Sequence, residues 1–132
     1  MENEIVFEKA TFSYKEGILF CKLFNDDTHH KLQEVSVANY IDAMVKLSKG
    51  KRSPVIIDLR NCKGTYTITA AKLLSKTKKF EDIRLVEAYL INSMSSQLLV
   101  NSYKRIYDQS VPYKVFEEMD AALTYCNEIK NA

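Results

Sequence analysis

Pro54-Val55-Ile56-Ile57-Asp58-Leu59-Arg60 is the stretch on which the reading of this chain turns. A short run of β-branched residues behind a proline, closing in polar residues, reads as a buried strand rather than a helix. The polar loop Asn61–Tyr66 follows, and a helix opens near Thr67. A strand that feeds a helix through a short loop is the unit of an α/β sheet. In open sheets of that class, ligand and partner sites form where strands end and helices begin.

The rest of the chain extends the same pattern. Val6 to Tyr14 reads as an opening strand with a break near Lys9, and Ile18 to Phe24 returns from the Lys15-Glu16-Gly17 turn as the second arm of a hairpin. Asn25-Asp26-Asp27-Thr28 interrupts it. From Leu32 to Ser48, Val37, Tyr40, Ile41, Met44 and Val45 recur at helical spacing, with Gly50 as the stop. The helix after Thr67 turns Ala70, Leu73, Leu74 and Thr77 inward. Leu85 to Ile91 is the next strand, and Asn92-Ser93-Met94-Ser95 opens a helix with Leu99, Tyr103, Ile106 and Tyr107 inside. Tyr113 to Phe116 is a last short strand, and Met119, Ala122, Leu123, Cys126 and Ile129 mark a closing helix. The order is β-β-α-β-α-β-α-β-α. It predicts a mostly parallel five-stranded sheet with an antiparallel N-terminal strand and four helices. The strands alternate apolar and mixed faces, so helices are expected to crowd one face and leave the other partly open or covered by a partner.

Composition narrows the class. At 132 residues, with three Gly and two Pro, residues 1–132 are expected to form a single domain. No apolar run reaches membrane-spanning length, and Met1-Glu2-Asn3-Glu4 lacks the order of a secretory leader. Cys21, Cys62 and Cys126 are odd in number and widely spaced, which suits reduced thiols and a cytoplasmic location. The net charge of +2 conceals a basic centre: residues 46–84 carry eleven Lys or Arg against three acids.

Two polar clusters are the candidate sites. Arg60, Asn61, Lys63, Thr65, Tyr66 and Thr67 surround the start of the second helix, and Asn92, Ser93, Ser95 and Ser96 the start of the third. Hydroxyls there cap helices, and helix N-termini also attract anions. Adjacent parallel strands would bring the two clusters to one crevice. Lys72, Lys76 and Lys79 are spaced to line one side of the second helix. They are read as a solvated face that suits an acidic protein surface or anionic lipid better than nucleic acid, since interleaved aromatics are lacking. His29-His30 is read as a solvated turn, because no further ligand completes a metal site. Cys62 sits beside Lys63, which would lower its pKa, but no histidine is placed to serve it as a base. No phosphate-binding loop, dinucleotide fingerprint, nucleophile elbow or zinc-protease motif occurs, and no cofactor is expected.

The order resembles the STAS-like fold of sulfate-transporter and anti-sigma-factor-antagonist domains, above all its small stand-alone bacterial members of unassigned function. The residues that carry the resemblance are Gly17-Ile18-Leu19-Phe20-Cys21-Lys22-Leu23, the strand Pro54 to Asn61, Ala88-Tyr89-Leu90-Ile91-Asn92-Ser93, Pro112-Tyr113-Lys114-Val115-Phe116 and Ala121-Ala122-Leu123. In the antagonists, the turn after the equivalent strand reads Asp-Ser-Ser/Thr-Gly and one hydroxyl is phosphorylated by a partner kinase. Here Tyr66-Thr67-Ile68-Thr69 stands at that place, without the Asp or the Gly, so Thr67 and Thr69 are the hydroxyls that such a switch would use. The resemblance implies a non-enzymatic regulatory domain that binds a protein partner, with self-association as a homodimer through the mixed sheet face. The alternative is a small binding protein for an apolar or amphiphilic anionic ligand.

Overall fold

The computed structural model describes residues 3–132; Met1 and Glu2, part of the acidic start noted above, lie outside them. The chain runs β1 (Glu4–Phe7), β2 (Ala10–Lys15), β3 (Ile18–Leu23), β4 (Lys31–Leu32), α1 (Glu34–Ser48), β5 (Ser53–Asp58), β6 (Thr65–Tyr66), α2 (Ile68–Lys76), α3 (Lys78–Ile83), β7 (Arg84–Leu90), α4 (Met94–Ile106), β8 (Tyr113–Phe116) and α5 (Met119–Lys130). The main sheet is ordered β1-β2-β3-β5-β7-β8. β1, β2 and β3 pair antiparallel, and β3, β5, β7 and β8 pair parallel. The strand from Pro54 is thus central, flanked by β3 and β7.

The α/β class and its parallel core agree with the sequence reading; three details differ. The break near Lys9 is a full hairpin turn, so the N-terminal strand is two strands and the described sheet has six. β4 and β6, too short to read from periodicity, form a separate two-stranded parallel ladder, with Lys31 opposite Thr65 and Leu32 opposite Tyr66. The second helix is two helices meeting at Thr77, whose ψ of 112° leaves the helical region. Its hydroxyl donates back to the Leu73 carbonyl, the local competition with helix geometry that threonine brings.

α1 follows its expected stripe, with Val37, Ile41 and Met44 buried. It stops where Lys49 and Gly50 both enter the left-handed region and their N–H groups return to Lys46 and Val45. Side-chain alternation then sorts the sheet. Phe12, Cys21, Ile57, Tyr89 and Val115 share one row of one face by register. α1, α2, α3 and α4 pack on that face. Ile56, Ala88 and Leu90 point the other way and meet α5 through Ala122 and Cys126. One helix cannot cover six strands, so Thr11, Ser13, Lys15 and Lys22 reach solvent on the second face. The crowded face and the partly open one agree with the expectation from strand patterning.

Candidate functional site

Beneath α1, α2 and α4 the crowded face is not fully packed. A cavity of about 490 Å³ lies there, within the ~300–1,000 Å³ of small-molecule sites. Its wall is mainly apolar: Phe12, Cys21 and Ile57 from the sheet, Val37 and Met44 from α1, Leu74 from α2, Leu99 and Val100 from α4. α4 seats itself by Val100, Tyr103 and Lys104. The expected inner face of Leu99, Tyr103, Ile106 and Tyr107 is therefore rotated: Ile106 is exposed and Lys104 is buried.

That rotation has an electrostatic cause. Lys104 Nζ donates to Glu87 Oε1 (2.6 Å) and Asp108 Oδ2 (3.0 Å). Arg84 Nη1 donates to Glu87 Oε2 (3.0 Å) and the same Asp108 oxygen (2.6 Å). All four residues are nearly sealed from solvent: Arg84 1%, Glu87 2%, Lys104 3% and Asp108 1% exposed. Two cations and two carboxylates thus form a closed, formally neutral quartet at the cavity wall. Burial works against the Arg84 charge, but Glu87 and Asp108 outweigh it and raise its pKa further. Tyr89 donates to Glu87 Oε1 (3.1 Å). Burial first, and the nearby carboxylates second, push the Tyr89 and Tyr103 hydroxyls well up, so neither ionises near neutrality.

The segment after β3 and the loop after β5 complete the lining through Asn25, His30, Lys63 and Gly64. Asn25 knits it: Nδ2 donates to the Asp27 and Lys63 carbonyls, and Oδ1 accepts from Lys9. Gly64 has φ +89°, and a Cβ there would sit 2.4 Å from the His30 carbonyl oxygen. Only glycine fits this crossing.

The sequence-predicted residues divide around this cavity. Lys63, Thr65, Tyr66 and Ser96 line it, so the starts of the second and third predicted helices do contribute to one space. Tyr66 reaches under α4, edge-on to Tyr103 with centroids 5.5 Å apart. Thr67 is the α2 N-cap, its Oγ1 accepting from Ala70 N at 3.1 Å. Exposed Thr69 stands 3.2 Å away, hydroxyl to hydroxyl. Ser93 caps α4 in the same way and bonds Ser95 and Ser96; Asn92 is exposed beside it.

Other residues go elsewhere. Arg60 turns back on Asp58 in a two-pronged pair, 2.9 and 3.0 Å, instead of standing free beside the α2 N-terminus. Exposed Asn61 offers its backbone carbonyl to Asn25. Lys72 and Lys76 are exposed on α2, but Lys79 belongs to α3 and pairs with Asp42 of α1, because the helix breaks at Thr77. Cys62 departs from expectation: burial pushes its thiol pKa up, and the attraction of Lys9 offsets this only in part. His30 lines the cavity, and no cluster of three or more metal-ligating side chains exists among the described residues.

The quartet and Asn25 were not legible beforehand. Arg84 counts only as part of the basic segment, and Lys104 falls outside the apolar stripe expected for its helix. One signal was present: Lys104 and Asp108 are four residues apart, a spacing that pairs opposite charges on a helix.

Comparison with known proteins now places the fold. Residues 12–130 match the model of a domain of unknown function, DUF7793. The chain belongs to that family. No curated protein sequence matches it. A solved structure of an uncharacterized protein from the DUF3478 family of Shewanella loihica PV-4, described as having a SpoIIAA-like fold, superposes with a TM-score of 0.60. That similarity covers 89% of this chain and 91% of the other at 16% identity, so it concerns the fold alone. The DUF7793 chain is STAS-like in architecture. No helix among its described residues is long and apolar enough to cross a membrane.

Proposed function

We propose that this DUF7793 protein is a non-enzymatic STAS-like binding domain that holds a small, largely apolar molecule between its sheet and α1, α2 and α4. The single observation behind this reading is the cavity of about 490 Å³ with a predominantly apolar wall. Native interiors are close-packed, and an apolar lining of this extent left to water would forgo the free energy of burial. A binding role is favoured over catalysis by the state of the polar groups. Both carboxylates of the quartet are engaged by cations, and the buried tyrosine hydroxyls have pKa values raised away from neutrality, so none of these four groups is poised as a general base.

The test is organic extraction of purified protein followed by mass spectrometry, with a thermal-shift screen of apolar compounds alongside. The expected result is a stoichiometric copurifying apolar species or a cavity-dependent thermal shift. Extraction that yields nothing, together with a flat screen, would contradict the reading.

A second reading, a protein partner docking over the starts of α2 and α4, is favoured by one observation. Ile68 at the start of α2, and Met94 and Leu98 at the start of α4, are 61, 70 and 60% exposed. A phosphate on Thr69 would fall beside Ile68 on the first turn of α2. A pull-down that recovers a partner with wild type and loses it with Ile68→Asp supports this reading, and recovery unaffected by that substitution opposes it.

A further inference from the structure

Outside the quartet, the cavity lining holds two lysines, Lys9 and Lys63, and one carboxylate, Glu8. Arg84 and Glu87 cancel each other within the quartet. With histidine counted as neutral, the lining therefore has one positive charge in surplus. Lys9 is the better placed of the two lysines. It stands in the turn between β1 and β2 and is half-buried, whereas Lys63 is exposed. Its Nζ donates to Asn25 Oδ1 at 3.1 Å. Asn25 is 8% exposed, and its Nδ2 is held by the Asp27 and Lys63 carbonyls, so it is a fixed post for the ammonium. The Cys62 thiol, also in the lining, feels the Lys9 charge.

Asn25 is a neutral acceptor. An ammonium has donors to spare beyond this one bond, and a partly desolvated charge calls for a counter-charge that an amide does not supply. Among the described residues Lys9 enters no ion pair. Glu8 is exposed and pairs with none of them, and Asp27 accepts from the His29 N–H (2.9 Å). The backbone gathers the polar lining past the ends of β3 and β5. The Phe24 N–H donates to the Lys9 carbonyl (2.8 Å), the Lys63 N–H to the Asn25 carbonyl (2.8 Å) and the Thr65 N–H to the His30 carbonyl (3.0 Å). Phe12, Val37, Met44 and Ile57 belong to the apolar remainder. A wall with a cation in one part and apolar side chains over the rest is the complement of an amphiphile.

Resting on the reading of the cavity as an apolar-ligand site, we infer that its ligand is a single-chain amphiphile with a carboxylate head, seated on Lys9 Nζ beside Asn25. The chain lies against Phe12, Val37, Met44 and Ile57. A single negative charge matches the single surplus positive one. A phosphate monoester, which approaches two negative charges at neutral pH, overshoots it.

The experiment is displacement of a fluorescent apolar probe at neutral pH by three compounds of equal chain length: a medium-chain fatty acid, its methyl ester and the alkyl phosphate. The acid is expected to bind about tenfold or more tighter than the ester, the effect of one hydrogen bond between charged groups, and tighter than the phosphate. Lys9→Met keeps the apolar stem and removes the charge. It should erase the acid's advantage and leave ester affinity unchanged, and Lys9→Arg should restore the preference for the acid. If Lys9→Met does not fold, the wild-type series and Lys9→Arg still decide. Equal or tighter binding of the ester, tightest binding of the phosphate, or an acid preference that survives in Lys9→Met would overturn the carboxylate assignment at Lys9 while leaving the apolar-ligand reading in place. Binding of none of the three would overturn both.

Discussion

Arg84, Glu87, Lys104 and Asp108 are the residues on which the interior is most sensitive to single changes. A buried ion pair contributes little net stability, but removing one partner strands a charge. Asp108→Asn should therefore cost about 3–5 kcal/mol, measured as the shift of a urea unfolding curve. Asp42→Ala, which opens the exposed pair with Lys79, should cost under about 1 kcal/mol. Asp58 tests the same chemistry through pH. Burial alone would raise its pKa, but the Arg60 side-chain and backbone hydrogen bonds, and the Arg60 charge, outweigh this and hold it below the usual carboxylate value. A folded-state pKa below the unfolded one adds stability above the unfolded pKa, lost as pH falls through the folded value. Unfolding free energy should thus fall more steeply for wild type than for Asp58→Asn below about pH 4. Parallel curves would remove Arg60 as the stabilising partner.

At the scale of elements, the helix starts and the seating of α4 carry the site. Thr67 caps α2 and donates to the Leu32 carbonyl (3.3 Å), tying β4 to the helix. Thr67→Ala should cost about 1 kcal/mol in chemical denaturation, and Thr67→Ser only a small part of that. On α4, Val100 is buried yet borders the cavity. Val100→Phe would put its ring into that space, so it should leave stability within about 1 kcal/mol of wild type while weakening ligand binding tenfold or more, since overpacking is costly only where no space exists. Ala122→Phe, between α5 and the close-packed opposite face, should cost about 1–3 kcal/mol or more. Periodicity made the long elements legible: α1, β5, β7 and α5 stand where apolar spacing put them. It was silent on β4 and β6, since two residues have no period. It misplaced the inner face of α4, because a buried lysine scores as surface until its carboxylate partners are known.

For the whole molecule, the decisive property is the uneven covering of one sheet. Four helices crowd the face that holds Phe12, Cys21, Ile57 and Tyr89, and still leave a cavity of about 490 Å³. No sequence pattern reports such a void, because an apolar residue facing empty space and one facing a neighbour look the same. Lys63, Thr65 and Tyr66, past the end of β5, border this cavity, and so do Arg84 and Glu87 of β7. Ligand in hundredfold excess over its Kd should raise unfolding free energy by about 2.7 kcal/mol. The measurement that tests the central claim most directly is methyl NMR during titration with a medium-chain apolar compound. Saturable shifts are predicted at the wall methyls of Val37, Ile57, Leu74, Leu99 and Val100, and their loss in Val100→Phe. Shifts confined to the exposed methyls of Ile68 and Leu98, or no saturable shift at all, would contradict an occupied cavity.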